Sequence, residues 1–594
     1  MGGSDNPPSA EAWRASATTM DFKSRRTCAL GTKGMVACSQ SLATAAGLEI
    51  LRKGGSAADA AVAVTACLNV CEPTSTGIGG DAFCLYFDAA TKKVSAVRGG
   101  GRSPAALTLD LVRSRGHAGL EITPSTDALC VVVPGAPAAW EDVVARFGSG
   151  KLTLADVLAP AIELAESGPP IAPVTAQLWR AQEELLRASG ATCMLDARGC
   201  APRAGERKPN PELASTFRRL ATHGAKKGFY SGPVAEAIVE AVRSRGGVLS
   251  LEDLATHATT FPEPIATTFR DAVTVWELPP PNHGVAALLA MNAFEAFTRS
   301  SPPTDEGSNA HAAVEAMRVA FADAMEHCGD PDHADARALD FENDRTVPAL
   351  VSKAYAEARA AGCGFSADGP PLPGPEPGHP GHLLRPSPDT VYFCVVDAAG
   401  NACSFINSNY DGFGTGIAPR GCGFTLQNRG HNFILKEGHV NCVGPLKRPY
   451  HTIIPGLATR TDTGDLYCAF GVMGGFMQPQ GHLQVLSNMV DFGMDPQAAL
   501  DHPRWCLKGV GSERGAGSVL DAVLGVEAAS DGGDDEPRKW ALANALASRG
   551  HKVERVEGVL GRTLFGRGQI IARDEHGVLW GGSDPRGDGC ALGL

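Results

Sequence analysis

The chain lacks the cysteine spacing of a metal site: its seventeen cysteines are odd in number and no two stand as CxxC. That argues against paired thiolates on zinc and against a disulfide framework, and scattered free thiols suit a reducing compartment. HExxH and GxSxG are also missing, which removes two common routes to hydrolysis. The N-terminal MGGSDNPPSAEAWRAS holds no apolar run of signal-peptide length. The most apolar stretch, Ala57 to Val70, is interrupted by Asp59 and is too short to span a bilayer. Basic runs are absent, and the net charge of −12 with a pI near 5.8 excludes nucleic acid and anionic membranes as expected partners. The expectation is a cytoplasmic protein that acts on a small molecule.

What is present begins with 43% hydrophobic residues and 20% charge, enough for a large core in 594 residues. Ser41 to Lys53 has Leu42, Ala45, Leu48 and Leu51 on one helical face, with Gly54 to stop it. Ser56 and Asp59 then form a capping-box pattern and open a second helix, Ala57 to Val70, apolar on nearly every side and therefore buried. The loop TSTGIGGDAF follows. Gly77, Gly79 and Ala82 match GxGxxA, but a helix precedes them and a strand, Leu85 to Phe87, comes after, so the dinucleotide reading is rejected. No cofactor and no metal are expected. In VRGGGRSPAAL, Arg98 and Arg102 sit among glycines, either as carboxylate clamps or as exposed arginines. Between Glu141 and Arg359 the pattern is mostly helical, with core helices over Leu152 to Ala165, Arg180 to Arg187 and Ala312 to Met325. A strand is expected over Phe269 to Leu278.

From Gly369 to Pro388 eight residues of twenty are proline, a semi-rigid linker that cannot pack as helix or strand. It ends at Asp389. Thr390 follows and opens VYFCVV, an aromatic and β-branched run expected to be a strand buried on both faces. A hydroxyl residue at that junction is either a strand-start threonine or the residue exposed when the chain is cut there. An N-terminal threonine carries its own base, since its α-amine titrates near pH ~7.7 to 8.0 and can take the hydroxyl proton. Downstream, the turn Asp397 to Gly400 and the strand Ala402 to Ile406 complete a hairpin. Gly412, Gly414 and Gly416 mark a tight loop, and Tyr467 to Val472 is another strand. Gly474 and Gly475 lie between that strand and a helix from Pro479, as a plain turn or as two amides facing an oxyanion.

Several ordered segments, GGSAADAAVAV, EPTSTGIGGDAF, DTVYFCVVDAAGNACSF, FGTGI, VGPLKRP, GVMGGFMQPQGH, VDFGMDPQAALDHPRW and GGSDPRGDG, together resemble the γ-glutamyltranspeptidase family of N-terminal nucleophile hydrolases. The resemblance implies an α+β fold, a four-layer αββα sandwich made as one precursor. It implies cleavage between Asp389 and Thr390 into residues 1–389 and 390–594, two fragments that stay partners in one fold. Within the first, residues 1–33 are a polar extension and 364–389 the mobile linker. Thr390 falls on the nucleophile, Ser408 on the hydroxyl that supports its amine, and Gly474 with Gly475 on the oxyanion glycines. Acylation of Thr390 by an amide and release to water or an amine follow.

The substrate-binding positions depart from the family. Its glutamine and acidic residue, which hold a substrate ammonium, are replaced by Arg429 and Asn432. Tyr450 and His451 stand for its serine pair, Tyr410 for an asparagine, and the carboxylate-gripping arginine is Arg102 or Arg98. Only nine residues, Ile434 to Cys442, precede VGPLKRP, so the lid loop is missing. The expected activity is hydrolysis, or transfer, of a γ-glutamyl or related carboxyl-bearing acyl group. A pocket that gains a guanidinium and loses a carboxylate favours an anionic acyl group without an α-ammonium. The alternatives are a glutathione-degrading transpeptidase and an unprocessed, non-catalytic carboxylate binder.

Overall fold

The computed structural model describes residues 26–333, 346–372, 390–508, 522–529 and 535–594. Ahead of residue 373 its strands are β1 (Ala29–Gly31), β2 (Met35–Cys38), β3 (Asp81–Asp88), β4 (Lys93–Gly99), β5 (Ile265–Phe269) and β6 (Val273–Glu277). From Thr390 onward come β7 (Val391–Val396), β8 (Ala402–Ser408), β9 (Gly456–Arg460), β10 (Leu466–Met473), β11 (Trp505–Lys508), β12 (Val523–Glu527), β13 (Val553–Val556), β14 (Arg567–Arg573), β15 (Leu579–Ser583) and β16 (Cys590–Gly593). One sheet has the order β16-β2-β7-β8-β3-β4, and a second β1-β15-β14-β10-β9-β6-β5. A small third sheet, β11-β12-β13, stands beside them.

The two large sheets face each other, and β7 shows how the sequence builds the stack. Tyr392, Cys394 and Val396 point into the layer between the sheets with Leu457, Ala469 and Ile571. Val391, Phe393 and Val395 point the other way, onto the helices Ala57–Cys71 and Ala136–Phe147. With side chains alternating at a period of two, each face of the strand serves a different core. On the far side of the second sheet lie Gly284–Ser300, Glu306–His327 and Met477–Val490. The outcome is the expected α+β sandwich in four layers, helix, sheet, sheet, helix.

The Ala57–Cys71 helix is buried along its whole length, and both hydrogen bonds of the Ser56/Asp59 capping box are formed. Its small residues let the helix Ser41–Arg52 and the hairpin β7–β8 pack closely on it. Elsewhere the boundaries move for identifiable reasons. The run Phe269 to Leu278 is two strands, because Arg270 and Asp271 adopt φ near 55 and 54° and turn β5 back onto β6. Arg180 to Arg187 is broken at Gln182. The helix around Ala312 begins earlier, at Glu306, where Asp305 and Ser308 cap each other. The helix expected from Pro479 starts at Met477, with Phe476 as its N-cap.

Neither large sheet belongs to one side of position 390. The hairpin β7–β8 is hydrogen-bonded between β2 and β3, and β9, β10, β14 and β15 lie between β1 and β6. Opening the backbone just before Thr390 would leave every one of these ladders intact. The segment 1–33 contributes β1, paired with Leu579 to Gly581. Of 364–389, Ala367 donates its N–H to Ser301 and Leu372 to Glu315; residues 373–389, including Asp389, lie outside the described residues.

Candidate active site

Thr390 is the residue immediately before β7, with φ of 154°, a value that a β-branched side chain rarely adopts. Its Oγ1 lies 2.9 Å from Ser408 Oγ at the end of β8. Ser408 Oγ also accepts the Tyr410 N–H at 2.8 Å and an Arg429 Nη2–H at 3.4 Å. With both acceptor positions of the hydroxyl occupied by donors, its own proton goes to Thr390 Oγ1. Thr390 is therefore the acceptor, and its own O–H remains available to a base.

Arg429 is fully buried in the short turn Arg429–Asn432. Nη1 donates to Thr452 Oγ1 at 2.6 Å, and the guanidinium lies over the Tyr410 ring at 4.5 Å. Nε has no hydrogen-bond partner. Burial pulls its pKa down to about 10, so it stays cationic at neutral pH. Tyr410 sits at φ 80°, a conformation unusual outside glycine, and is held there by Ser408 and by the stacked guanidinium.

Gly474 and Gly475 follow the end of β10 with φ of 131 and 55°, which a side chain would strain. They precede the buried helix Met477–Val490, so their amides share its electropositive N-terminal end. The two sheets give the direction in which β7 crosses β10. Cys394 lies by Ile571 and Cys468, whereas the Tyr392 ring covers Gly471, where an added Cβ would come within 2.6 Å. Stepping back along β7 from Cys394 to Tyr392 therefore advances along β10 from Cys468 to Gly471, toward its Met473 end. Phe476 links the same turn to the arginine, since its ring stacks on Tyr450, two residues before Thr452.

The remaining expected site residues have other partners. Asn432 donates to the Tyr450 carbonyl at 3.0 Å. Tyr450 packs on Phe476 and His283, and its buried hydroxyl makes no hydrogen bond. Arg98, in β4, donates to the carbonyls of Pro279 and Pro280 at 2.8 and 2.7 Å. Arg102 pairs with Asp330 at 3.2 Å and Asp332 at 3.0 Å, carboxylates that it shares with Arg448. His451 Nε2 is 2.9 Å from Asp81 Oδ2. Burial holds this imidazole well below its usual pKa, so it is neutral and donates Nε2–H.

Sequence reasoning missed Asp81, Gln427 and Thr452. Asp81 is the first residue of β3 and pairs directly across from Ser408. Its Oδ1 accepts from Gly101 N, Gly135 N and Gln427 Nε2 at 3.2, 3.1 and 3.0 Å. An acid between Gly79-Gly80 and an apolar strand was the available signal. Thr452 is one place beyond the pair compared with the family's serines, and its hydroxyl takes the arginine. For metals, one His/Glu group has suitable spacing among the described residues, His311, Glu315 and His551. It lies outside this site, and Arg318 Nη1 already meets both Glu315 oxygens, at 2.8 and 2.7 Å. No helix among the described residues is long and apolar enough to cross a membrane.

A hydroxyl nucleophile relieved of its donor role, two adjacent amides at a helix start and a buried cation suit acyl transfer from an anionic amide. Residues 43–594 match the family described as Gamma-glutamyltranspeptidase. The chain is 35% identical to the glutathione hydrolase-like YwrD proenzyme of Bacillus subtilis (strain 168), covering 95% of this chain and 99% of the relative. It is 31% identical to the oxamate amidohydrolase proenzyme of Klebsiella pneumoniae, with 95% and 99% covered. The solved structure of a cephalosporin acylase from Bacillus halodurans superposes with a TM-score of 0.83 at 39% identity, covering 96% of this chain and 97% of that one.

Proposed function

The chain belongs to the gamma-glutamyltranspeptidase family and is an amidohydrolase that processes itself into two chains, and from that premise we propose that it opens before Thr390 and hydrolyses amides of small dicarboxylic acids. The observation that carries this reading is the 2.9 Å contact of Thr390 Oγ1 with a Ser408 hydroxyl that also touches Arg429.

In the continuous chain Thr390 is 1% exposed, so no substrate reaches it. Attack of its Oγ1 on the preceding carbonyl replaces the amide with an ester, and the proton passes to the departing nitrogen. Water then cleaves the ester. The freed α-amine becomes the base for the same hydroxyl, in the place that a histidine fills elsewhere. An incoming amide acylates Thr390, its carbonyl oxygen receiving the amides of Gly474 and Gly475, and the leaving amine takes the proton. Water, or a second amine, releases the acyl group.

Arg429 decides which acyl group fits. Its free Nε and its charge suit a terminal carboxylate, whereas the ammonium of a γ-glutamyl group would meet a like charge. Asn432 supplies no negative charge in compensation. Cleavage of a γ-glutamyl amide is the second reading, supported by the family match.

The test is a denaturing gel with N-terminal sequencing of the smaller band, beside hydrolysis of a glutaryl and a γ-glutamyl anilide. The expected smaller chain begins TVYFCV, Thr390→Ala remains a single inactive chain, and the glutaryl substrate is preferred. An uncut chain with full activity, or a γ-glutamyl preference above about tenfold, roughly 1.4 kcal/mol, overturns the reading.

A further inference from the structure

Asp81 is a buried carboxylate built into the wall of this site, and nothing in the acyl-transfer chemistry calls for it. It stands opposite Ser408 in the β3–β8 ladder. Through Gln427 it holds the strand of chain that leads to Arg429, and through His451 the one that leads to Thr452, the arginine's hydrogen-bond partner. It forms no direct ion pair with Arg429, so the guanidinium keeps its free Nε while feeling the carboxylate's charge. Resting on the reading of Arg429 as the acyl-carboxylate site, we propose that Asp81 is a specificity-determining positioning residue whose charge state sets how strongly the pocket attracts an anionic acyl group.

Around Asp81 the charged and titratable groups are few. Arg429 and, behind it, Tyr410 and Asp411 face it from the loop after β8. His451 faces it from the segment after Arg448, with His283 and Arg98 behind that ring. Tyr230 faces it from the Ala136–Phe147 side, its hydroxyl donating to the Pro134 carbonyl. Tyr230 is a neutral phenol, its pKa raised by burial. His451 and His283 are both driven well below the normal imidazole range by burial, and so add no charge near neutrality. Arg98 and Arg429 remain cationic, with pKa values near 10. Burial raises Asp81 to about 7 against the opposing pull of Arg429 and its amide donors, so its carboxyl changes charge in the working range.

The sign follows. Below about pH 7 a neutral Asp81 leaves the field of Arg429 uncompensated, and an anionic acyl group binds well. Above it the ionised carboxylate offsets that field and binding weakens. By linkage, a bound anion raises the pKa of Asp81 by the same free energy.

The experiment compares a glutaryl anilide with its neutral terminal-amide analogue, taking the ratio of the two kcat/KM values from pH 5.5 to 8.5. Effects of pH on the Thr390 amine apply to both substrates and cancel. The ratio is expected to fall about fivefold or more across the range, carried by KM of the anionic substrate. Asp81→Asn keeps the shape and removes the charge, its Nδ2–H donating to His451 Nε2 in the ring's other tautomer, as a protonated Asp81 would, and is expected to hold the low-pH ratio throughout. A ratio above one that stays flat with pH, or a slope that survives in Asp81→Asn, overturns the role of Asp81 and leaves the acyl-carboxylate site standing. A ratio near one at every pH overturns both. Should Asp81→Asn fail to fold, the slope in the parent enzyme decides.

Discussion

Replacing Arg429 by glutamine, the residue found there in typical family members, isolates the source of acyl selectivity. The guanidinium is fully buried, spends one hydrogen bond on Thr452 and a weak one on Ser408, and keeps Nε unpaired. A substrate carboxylate meeting it gains a charge-assisted contact in a desolvated pocket, whose loss costs roughly 2 to 4 kcal/mol. That is a fall of about 30-fold to 1,000-fold in kcat/KM for a glutaryl anilide. A γ-glutamyl anilide carries the same terminal carboxylate but is also relieved of the repulsion between its ammonium and the cation, so it loses less, and the ratio of the two substrates should move by at least about tenfold, roughly 1.4 kcal/mol. Glutamine retains a donor for Thr452, while the weak bond to Ser408 and the 4.5 Å stack on Tyr410 are lost, the stack worth about 0.5 to 2 kcal/mol. The assay is steady-state hydrolysis of both anilides by material confirmed on a gel to be processed. A ratio within about threefold of the parent's, roughly 0.7 kcal/mol, refutes the assignment of Arg429.

Gly80→Ala places a Cβ 2.2 Å from the Ser408 carbonyl and 2.4 Å from Asn409 Oδ1, so the end of β8 must shift. Processing followed on a gel over time should slow at least about tenfold, whereas Gly119→Ala, with nothing within 4 Å of its added Cβ, should match the parent. Glu72, ahead of Thr390 in the chain, lies 2.8 Å from Arg567 beyond it, and both are buried. Ser39 and Gln40 also donate to Glu72, at 2.7 and 3.2 Å. Glu72→Ala should cost about 3 to 5 kcal/mol in urea unfolding of the processed protein, because Arg567 is left charged and unpaired. A loss below about 1 kcal/mol would mean that water replaces the carboxylate.

Much of the scaffold was legible because it is local. The capping box at Ser56 and Asp59, the small-residue helix behind it, the hairpin β7–β8 and the glycines at 474 and 475 each state their structure within a few residues. Where local rules compete, reading the chain was less secure. Phe269 to Leu278 has the apolar content of one strand, and only the polar pair Arg270-Asp271 betrays the turn. Arg98 and Arg102 look alike among their glycines, yet one holds the carbonyls of Pro279 and Pro280 and the other a pair of aspartates.

The order of residues alone therefore determined the layers, and it singled out Thr390, the arginine at 429 and the asparagine at 432 as the places to look for chemistry. Folding decided what that arginine touches. Asp81, Ser408, Arg429 and Thr452 are distant along the chain, and only the pairing of β3 with β8 and the return of the loop at Thr452 bring their charges and hydroxyls together. Electrostatics at a buried site depends on separation and desolvation, and neither is written in sequence spacing.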